Sequence, residues 1–274
     1  MNAEDGFQLW SDRYDRQLDD IFAVQDEIAR TIAGQLQSTL VTDRDEPLVK
    51  QHTDNLEAYE LYLRGRTSLY QRVARSFENA LGYFDRALEL DPNYALAHAG
   101  RADVFGLFGF YALLPTKEAM PKARQAAERA LKLDDELSEA HAALGLVSSL
   151  YDHDWKTADG HYRRAIELNS SNIQARSWYA LFHLCWTLGD EKAAIEEARV
   201  ATEIDPLAGY PLALLAYVQA NFGLHHNAIS SARASVTRDP NSYIGQRALA
   251  LALRWAGDHQ GAIRAAERAI QLSG

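Results

Sequence analysis

Apolar and polar positions repeat along most of the chain with a period of about 34 residues. Six segments end alike: ALELDP at 87–92, ALKLDD at 130–135, AIELNS at 165–170, ATEIDP at 201–206, SVTRDP at 235–240 and AIQLSG at 269–274. Their first residues are separated by 43, 35, 36, 34 and 34 positions. This spacing is typical of a helix–turn–helix unit copied along a chain. The pattern therefore predicts an all-α protein made of helix pairs.

Small residues recur at matching places inside these units. The first helix of each unit carries Gly65, Ala102, Gly145, Ala180, Ala216 or Ala250, and the second carries Ala80, Ala123, Ala158, Ala194, Ala228 or Ala262. Small side chains let the two helices of a pair approach closely. One pair cannot bury its apolar face alone, so neighbouring pairs must supply the rest of the core. We therefore expect the pairs to stack into an α-solenoid.

The units resemble the tetratricopeptide repeat (TPR) family, which closes each repeat with Pro, as at Pro92, Pro206 and Pro240. The resemblance implies a right-handed superhelix of about six helix pairs in residues 54–274. The repeats are expected at about 56–92, 93–135, 136–170, 171–206, 207–240 and 241–274. Asp135 and Ser170 depart from the pattern, because they stand where Pro is usual.

The second repeat also carries an insertion, GLFGFYALLPTKEAMPK. Phe108, Phe110 and Tyr111, together with Phe105 directly before the segment, make it too apolar for a bare loop. We expect the first helix of the repeat to continue past Phe108 and Thr116 to cap the second helix.

The first 40 residues differ from the repeats. Phe7 to Tyr14 alternates like a strand, and Asp19 to Leu40 has the periodicity of an amphipathic helix. Residues 41–53 are polar, and this composition predicts a linker. The motifs LW, RYD, IFA and QDEI of residues 9–28 resemble the end of the TolB-like domain that precedes TPR arrays in bacterial regulators. The resemblance implies that this chain is the carboxy-terminal piece of a longer protein with a cyclase or winged-helix domain. The alternative is a short protein whose leading strand pairs with the same strand of a second copy in a dimer.

Net charge, cysteine content and the length of apolar runs limit which partners and which compartment the protein can have. The formal net charge of -10 argues against nucleic acid or an anionic membrane, which both attract basic surfaces. Cys185 has no second cysteine to pair with, and its apolar neighbours favour a buried structural thiol. The start of the chain is polar, and no apolar run is long enough to cross a bilayer. We therefore expect a cytoplasmic protein.

Motifs for catalysis are absent from the sequence, which has no Gly-rich phosphate loop, GxSxG, HExxH or CxxC. Asp152, His153, Asp154 and His161 could suggest a metal site, but they flank a turn where charged side chains are easily solvated. We expect no catalytic residue, metal or cofactor, and so no enzyme.

A TPR array offers a concave groove lined by the first helix of each pair. The resemblance places aromatic residues, arginines and amides on that face: Tyr59, Tyr62, Arg66, Tyr70, Gln174, Trp178, Tyr210, Tyr217, Asn221, Arg247, Arg254 and Trp255. Aromatic residues and Arg often dominate interface energy, so the predicted partner is a protein or peptide. Asp103 and Glu139 replace the basic set that clamps chaperone tails. Two alternatives remain: a structural scaffold that self-associates, for example as a homodimer through its final helix, or a small-molecule sensor.

Overall fold

The computed structural model describes residues 50–273 together with Val24, Glu27 and Ile28. Residues 50–273 contain twelve helices in six consecutive pairs, which confirms the predicted all-α solenoid. The pairs are α1 (Leu56–Tyr70) with α2 (Ala74–Leu90), α3 (Ala95–Phe110) with α4 (Thr116–Leu133), α5 (Ser138–Val147) with α6 (Trp155–Leu168), α7 (Ile173–Trp178) with α8 (Glu191–Ile204), α9 (Gly209–Asn221) with α10 (His225–Arg238), and α11 (Tyr243–Trp255) with α12 (His259–Ser273). Helices α5 and α7 continue into π-helical turns, Ser148–Asp152 and Tyr179–Leu188.

The Asp or Asn that follows the second helix of each of the first five pairs has a structural reason. The Asp91 carboxylate accepts a hydrogen bond from the backbone N–H of Asn93 at 3.0 Å, and the Asn169 side chain does the same for Ser171. The same bond follows α4, α8 and α10. Such turns divert the chain out of the helix. They form even after α4 and α6, where the closing Pro is missing.

The turn between the two helices of each pair contains one residue with positive φ. In the first three pairs this residue is Arg72, Ala112 or His153, and in the last three pairs it is Gly189, Gly223 or Gly257. A side chain at positive φ is uncommon because its Cβ crowds the backbone. Arg72, with φ of 59°, therefore adopts a conformation that later repeats assign to glycine.

Glycines bring the first two pairs together around one ring. Phe84 of α2 is completely buried between Gly65 of α1 and Gly100 of α3. A Cβ atom would lie 2.5 Å from the Phe84 ring at Gly65 and 2.6 Å from it at Gly100. The ring therefore occupies space that only glycine leaves free.

The insertion of the second repeat is folded into the array. Helix α3 continues to Phe110, as predicted, and Phe108 is buried against Phe77 with ring centroids 6.4 Å apart. Tyr111 stacks on Phe77 at 5.6 Å. The predicted cap is wrong, because Thr116 is the first residue of α4 and Pro115 occupies the cap position without a side-chain hydrogen bond.

The predicted leading strand and the start of the linker lie outside the described residues, as does most of the predicted helix Asp19–Leu40. Val24, Glu27 and Ile28 have helical backbone. Within the part of the chain that the structure describes, no helix is both long and apolar enough to cross a bilayer.

Candidate functional site

A concave groove of about 880 Å³ runs along the inner side of the later helix pairs. Helices α3, α9 and α11, the π-helical continuation of α7, and one face of α12 form its wall. Nine aromatic side chains contribute to this wall: Phe110, Tyr111, Trp178, Phe182, Trp186, Tyr210, Tyr217, Tyr243 and Trp255. A large apolar concavity with a few polar groups is the usual form of a ligand site. The groove is therefore the candidate functional site.

One part of the wall is an aromatic cluster made by the insertion and the continuation of α7. Phe110 stacks on Trp186 with ring centroids 6.0 Å apart and contacts Phe182 at 4.9 Å. Phe182 and Trp186 are 5.3 Å apart. Trp186 still exposes 45% of its surface, so the cluster offers aromatic surface to a ligand.

The opposite end of the wall is an apolar stripe on α12. Ile263 and Ile270 expose 57% and 70% of their surface, and Ala262, Ala266 and Ala269 lie on the same face. This face of α12 forms part of the groove wall.

The polar residues of the wall include three arginines, Arg72, Arg247 and Arg254. The Arg247 guanidinium lies over the rings of Tyr243 and Tyr111, at 5.5 and 5.7 Å from their centroids. These distances fit cation–π interactions, which orient the guanidinium without neutralising its charge. Arg254, about two helical turns further along α11, is exposed.

Arg72 reaches the groove from the turn between α1 and α2. Its side chain is only 2% exposed, and its guanidinium lies 4.7 Å from the centroid of Tyr210 and 6.0 Å from that of Trp178. Its Nη2 donates a hydrogen bond to Oε1 of Gln174 at 3.2 Å. The first pair is therefore tied to the fourth and fifth pairs through one side chain.

The hydrogen bonds continue from Gln174 into the core. Gln174 Nε2 donates to Asp103 Oδ2 at 2.7 Å, and Arg66 Nη1 donates to the same oxygen at 3.2 Å. Asp103 is completely buried, and this burial raises the pKa of its carboxyl to about 6, although Arg66, Gln174 and Arg72 oppose the rise. The network thus joins two guanidinium groups to one carboxylate, and of these residues Arg72 lines the groove.

Seven of the twelve residues predicted for the concave face line the groove: Trp178, Tyr210, Tyr217, Asn221, Arg247, Arg254 and Trp255. The remaining five lie elsewhere: Tyr59, Tyr62, Arg66, Tyr70 and Gln174. Tyr62 packs in the core against Tyr94 and Phe84, at 5.4 and 5.9 Å. Arg66 and Gln174 bind Asp103, while Tyr70 is exposed beside Arg66.

Sequence reasoning missed several wall residues. Phe110, Tyr111 and Trp186 were not assigned to the face, although the aromatic density of the insertion was a usable signal. The sequence did not indicate that the Arg72 side chain points into the groove, because helical periodicity says nothing about a residue in a turn. Ile263 was not assigned to the concave face either.

The residues considered as metal ligands or as a reactive thiol have structural roles. Asp154 caps α6 by accepting from the backbone N–H of Thr157 at 3.1 Å, and Asp152 pairs with Arg124. Burial raises the pKa of the Cys185 thiol to about 11, which disfavours the reactive thiolate. Among the described residues, no group of three or more His, Cys, Asp or Glu side chains is arranged to hold a metal ion.

Comparison with known proteins matches residues 175–206, the fourth helix pair, to the family model for the tetratricopeptide repeat. A protein of Rhizobium meliloti (strain 1021), provisionally named adenylate cyclase 3, is 34% identical over 169 residues, which are 62% of this chain and 26% of that protein. The transcriptional regulator HilA of Salmonella typhimurium (strain LT2) is 21% identical over 156 residues, 56% of this chain and 27% of that protein. The chain thus spans about a quarter of the length of the curated relatives it matches.

Two solved structures share the fold. A thermophilic TPR protein of Thermus thermophilus superposes with a TM-score of 0.54 and 16% identity, over 73% of this chain and 97% of that one. The Cut9–Hcn1 hetero-tetramer of the APC/C gives a TM-score of 0.55 and 15% identity, over 93% of this chain and 52% of that one. At this level of identity the likeness concerns the fold alone.

Proposed function

We propose that this solenoid of tetratricopeptide repeats is a protein- or peptide-binding module that uses its concave groove. The observation that carries the proposal is the amount of aromatic and aliphatic surface left open there. Trp186, Ile263 and Ile270 are each at least 45% exposed along one continuous wall. Exposed apolar surface of this kind marks interaction sites in folded proteins.

The shape of the groove favours an elongated ligand over a small molecule. A small-molecule site usually encloses most of its ligand. Here the wall extends from the insertion of the second pair to the final helix, and its two ends remain open to solvent. A peptide that lays successive apolar side chains along a groove suits such a surface.

The relatives suggest a setting for this binding. Their names describe an adenylate cyclase and a transcriptional regulator, and both proteins are much longer than this chain. We place the chain as the regulatory or scaffolding part of a larger bacterial signalling or transcription protein. In this proposal it binds a partner and carries out no catalysis itself.

Peptide selection on the full chain tests the proposal. Random peptides would be displayed, selected against the 274-residue protein, synthesised with a fluorescent label and measured by fluorescence anisotropy. Replacing Trp186 with Ala removes an aromatic anchor, so we expect the dissociation constant to rise at least about tenfold. Trp155→Ala is the matched control, since Trp155 is 52% exposed but lies outside the groove.

The control variant should bind within about twofold of the original protein, because rim and distant contacts contribute little. Far-UV circular dichroism would show that both variants keep their helices. Failure to select any peptide, or equal affinity in the Trp186 variant, would contradict binding in this groove.

A second candidate function is self-association of the chain as a scaffold. The open stripe of Ile263 and Ile270 on α12 favours it, because the same face on two copies could pack together. In this case the occupant of the stripe would be another α12.

A further inference from the structure

The groove differs in charge from the rest of the protein. The whole sequence has a formal net charge of -10. Among the described residues that line the groove are Arg72, Arg247, Arg254 and His259, but no Asp and no Glu. An acidic protein therefore presents a groove whose fixed charges are all positive.

Seven arginines elsewhere in the described repeats are paired with carboxylates. Arg66 pairs with Asp103 at 3.2 Å, and Arg176 pairs with Glu197 at 2.6 Å. Further pairs involve arginines of α3, α4, α6 and α8. Arg247 and Arg254 have no carboxylate partner within the described part of the chain, and Arg247 instead lies against the rings of Tyr243 and Tyr111. Their guanidinium groups remain available to a ligand.

Arg72 adds a second guanidinium to a network that holds one carboxylate, Asp103. Its hydrogen bond goes to the neutral amide of Gln174, and its buried Nε has no acceptor among the described residues. The nearby carboxylate of Asp103 is bound to Arg66. A buried guanidinium without a carboxylate is costly, so an anionic ligand in the groove would stabilise it.

The charged and apolar surfaces belong to one groove. Arg247 and Arg254 lie on α11, directly followed by the stripe of Ile263 and Ile270 on α12, and Arg247 also touches Tyr111 next to the aromatic cluster. A matching ligand must carry negative charge and bulky apolar side chains within a short distance. Acidic amphipathic segments of proteins have this combination.

We infer that the groove binds an acidic amphipathic peptide segment, whose carboxylates pair with Arg247 and Arg254 while its apolar side chains cover the aromatic cluster and the α12 stripe. This inference rests on the proposed peptide-binding function and names the class of peptide. Charge-assisted hydrogen bonds from Arg to carboxylates are strong and directional, so they would set the orientation of the segment.

Single-stranded nucleic acid is the competing class of ligand, because arginines and aromatic rings also bind bases and phosphates. The wall favours the peptide. Much of it is aliphatic, as on the α12 stripe, and the negative charge of the remaining protein would repel a phosphate backbone.

Binding of designed probes tests the inference. One probe is a fluorescein-labelled amphipathic peptide of about 16 residues in which Asp and Glu accompany Leu and Trp. Its isostere carries Asn and Gln in place of the acids, and a third version carries Lys. We expect the acidic probe to bind the full chain at least about tenfold more tightly than the amide isostere, and less tightly as salt increases.

Variants connect this preference to the two arginines. Arg254→Gln alone, and then together with Arg247→Gln, should weaken binding of the acidic probe about tenfold for each arginine removed, while the amide isostere stays within about twofold. Arg86→Gln is the charge-matched control, since Arg86 is exposed on α2 and outside the groove. It should leave the affinity for the acidic probe unchanged.

Several results would overturn the inference. The amide isostere could bind as tightly as the acidic probe, with both affinities lowered by Trp186→Ala but by neither arginine variant. In that case the groove binds peptides without selecting acidic ones, and the proposed function survives. Tighter binding of the Lys peptide or of an oligothymidylate would assign another ligand class. A dimer at assay concentration by light scattering that neither probe dissociates would assign the groove to a second copy. If no peptide binds, here or in the selection, the proposed function fails as well.

Discussion

Replacing Gly100 with Ala tests whether the Phe84 ring determines the packing of the first two helix pairs. The added Cβ would lie 2.6 Å from the ring, far inside the 3.4 Å where ordinary van der Waals contact begins. Phe84 is completely buried, and a Cβ atom at Gly65 of α1 would also lie only 2.5 Å from the ring, so the ring has little free space toward which to move. We therefore expect Gly100→Ala to lower the free energy of unfolding.

The magnitude follows from two opposing effects. Ala in place of Gly inside a helix stabilises by about 1 kcal/mol. Overpacking a core costs about 1–3 kcal/mol. Gly82→Ala in α2 is the matched control, because nothing lies within 4 Å of the position of its Cβ. The control should be more stable than the original protein, and Gly100→Ala should be about 1–3 kcal/mol less stable than the control.

Urea unfolding followed by far-UV circular dichroism measures this difference. Solenoids can unfold repeat by repeat, so amide hydrogen exchange in α1–α3 would localise the effect. Phe84→Leu should reduce the cost of Gly100→Ala when the two are combined, because the smaller side chain leaves room for the methyl group. Equal stability of the two glycine variants, or strictly additive effects in the double variant, would refute the packing argument.

Two further predictions concern the buried network and the final helix. The pKa of Asp103 rises from 3.8 to about 6, so the folded state binds its proton more tightly, and its contribution to stability falls as the pH rises from 4 to 7. Relative to Asp103→Asn, the original protein should lose about 2 kcal/mol over this window in urea unfolding; a constant difference would contradict the burial argument. If the chain self-associates through α12, Ile263→Glu with Ile270→Glu should reduce the mass measured by light scattering to that of a monomer. A monomer before the change, independent of concentration, would rule this out.

The sequence determined that the repeats are pairs of helices, because helix formation depends on interactions over a few residues. The period of the apolar positions selects helices, and the side chains of Asp91 and Asn169 end them through bonds to an N–H two positions away. The glycine and alanine positions also identified where the helices of a pair approach. Each of these signals is local, so it could be read without knowing the neighbours in space.

Only the tertiary structure decided which inner residues face the groove. Periodicity shows that a helix face is apolar, but it does not show which neighbour covers that face. Tyr62 is therefore core, whereas Tyr217 lines the groove, although both stand on first helices. Arg72 and Gln174 meet across 102 positions of sequence, and this contact exists because the first pair packs near the fourth and fifth. The charge and aromatic character of the candidate site thus depend on stacking geometry, which no single repeat contains.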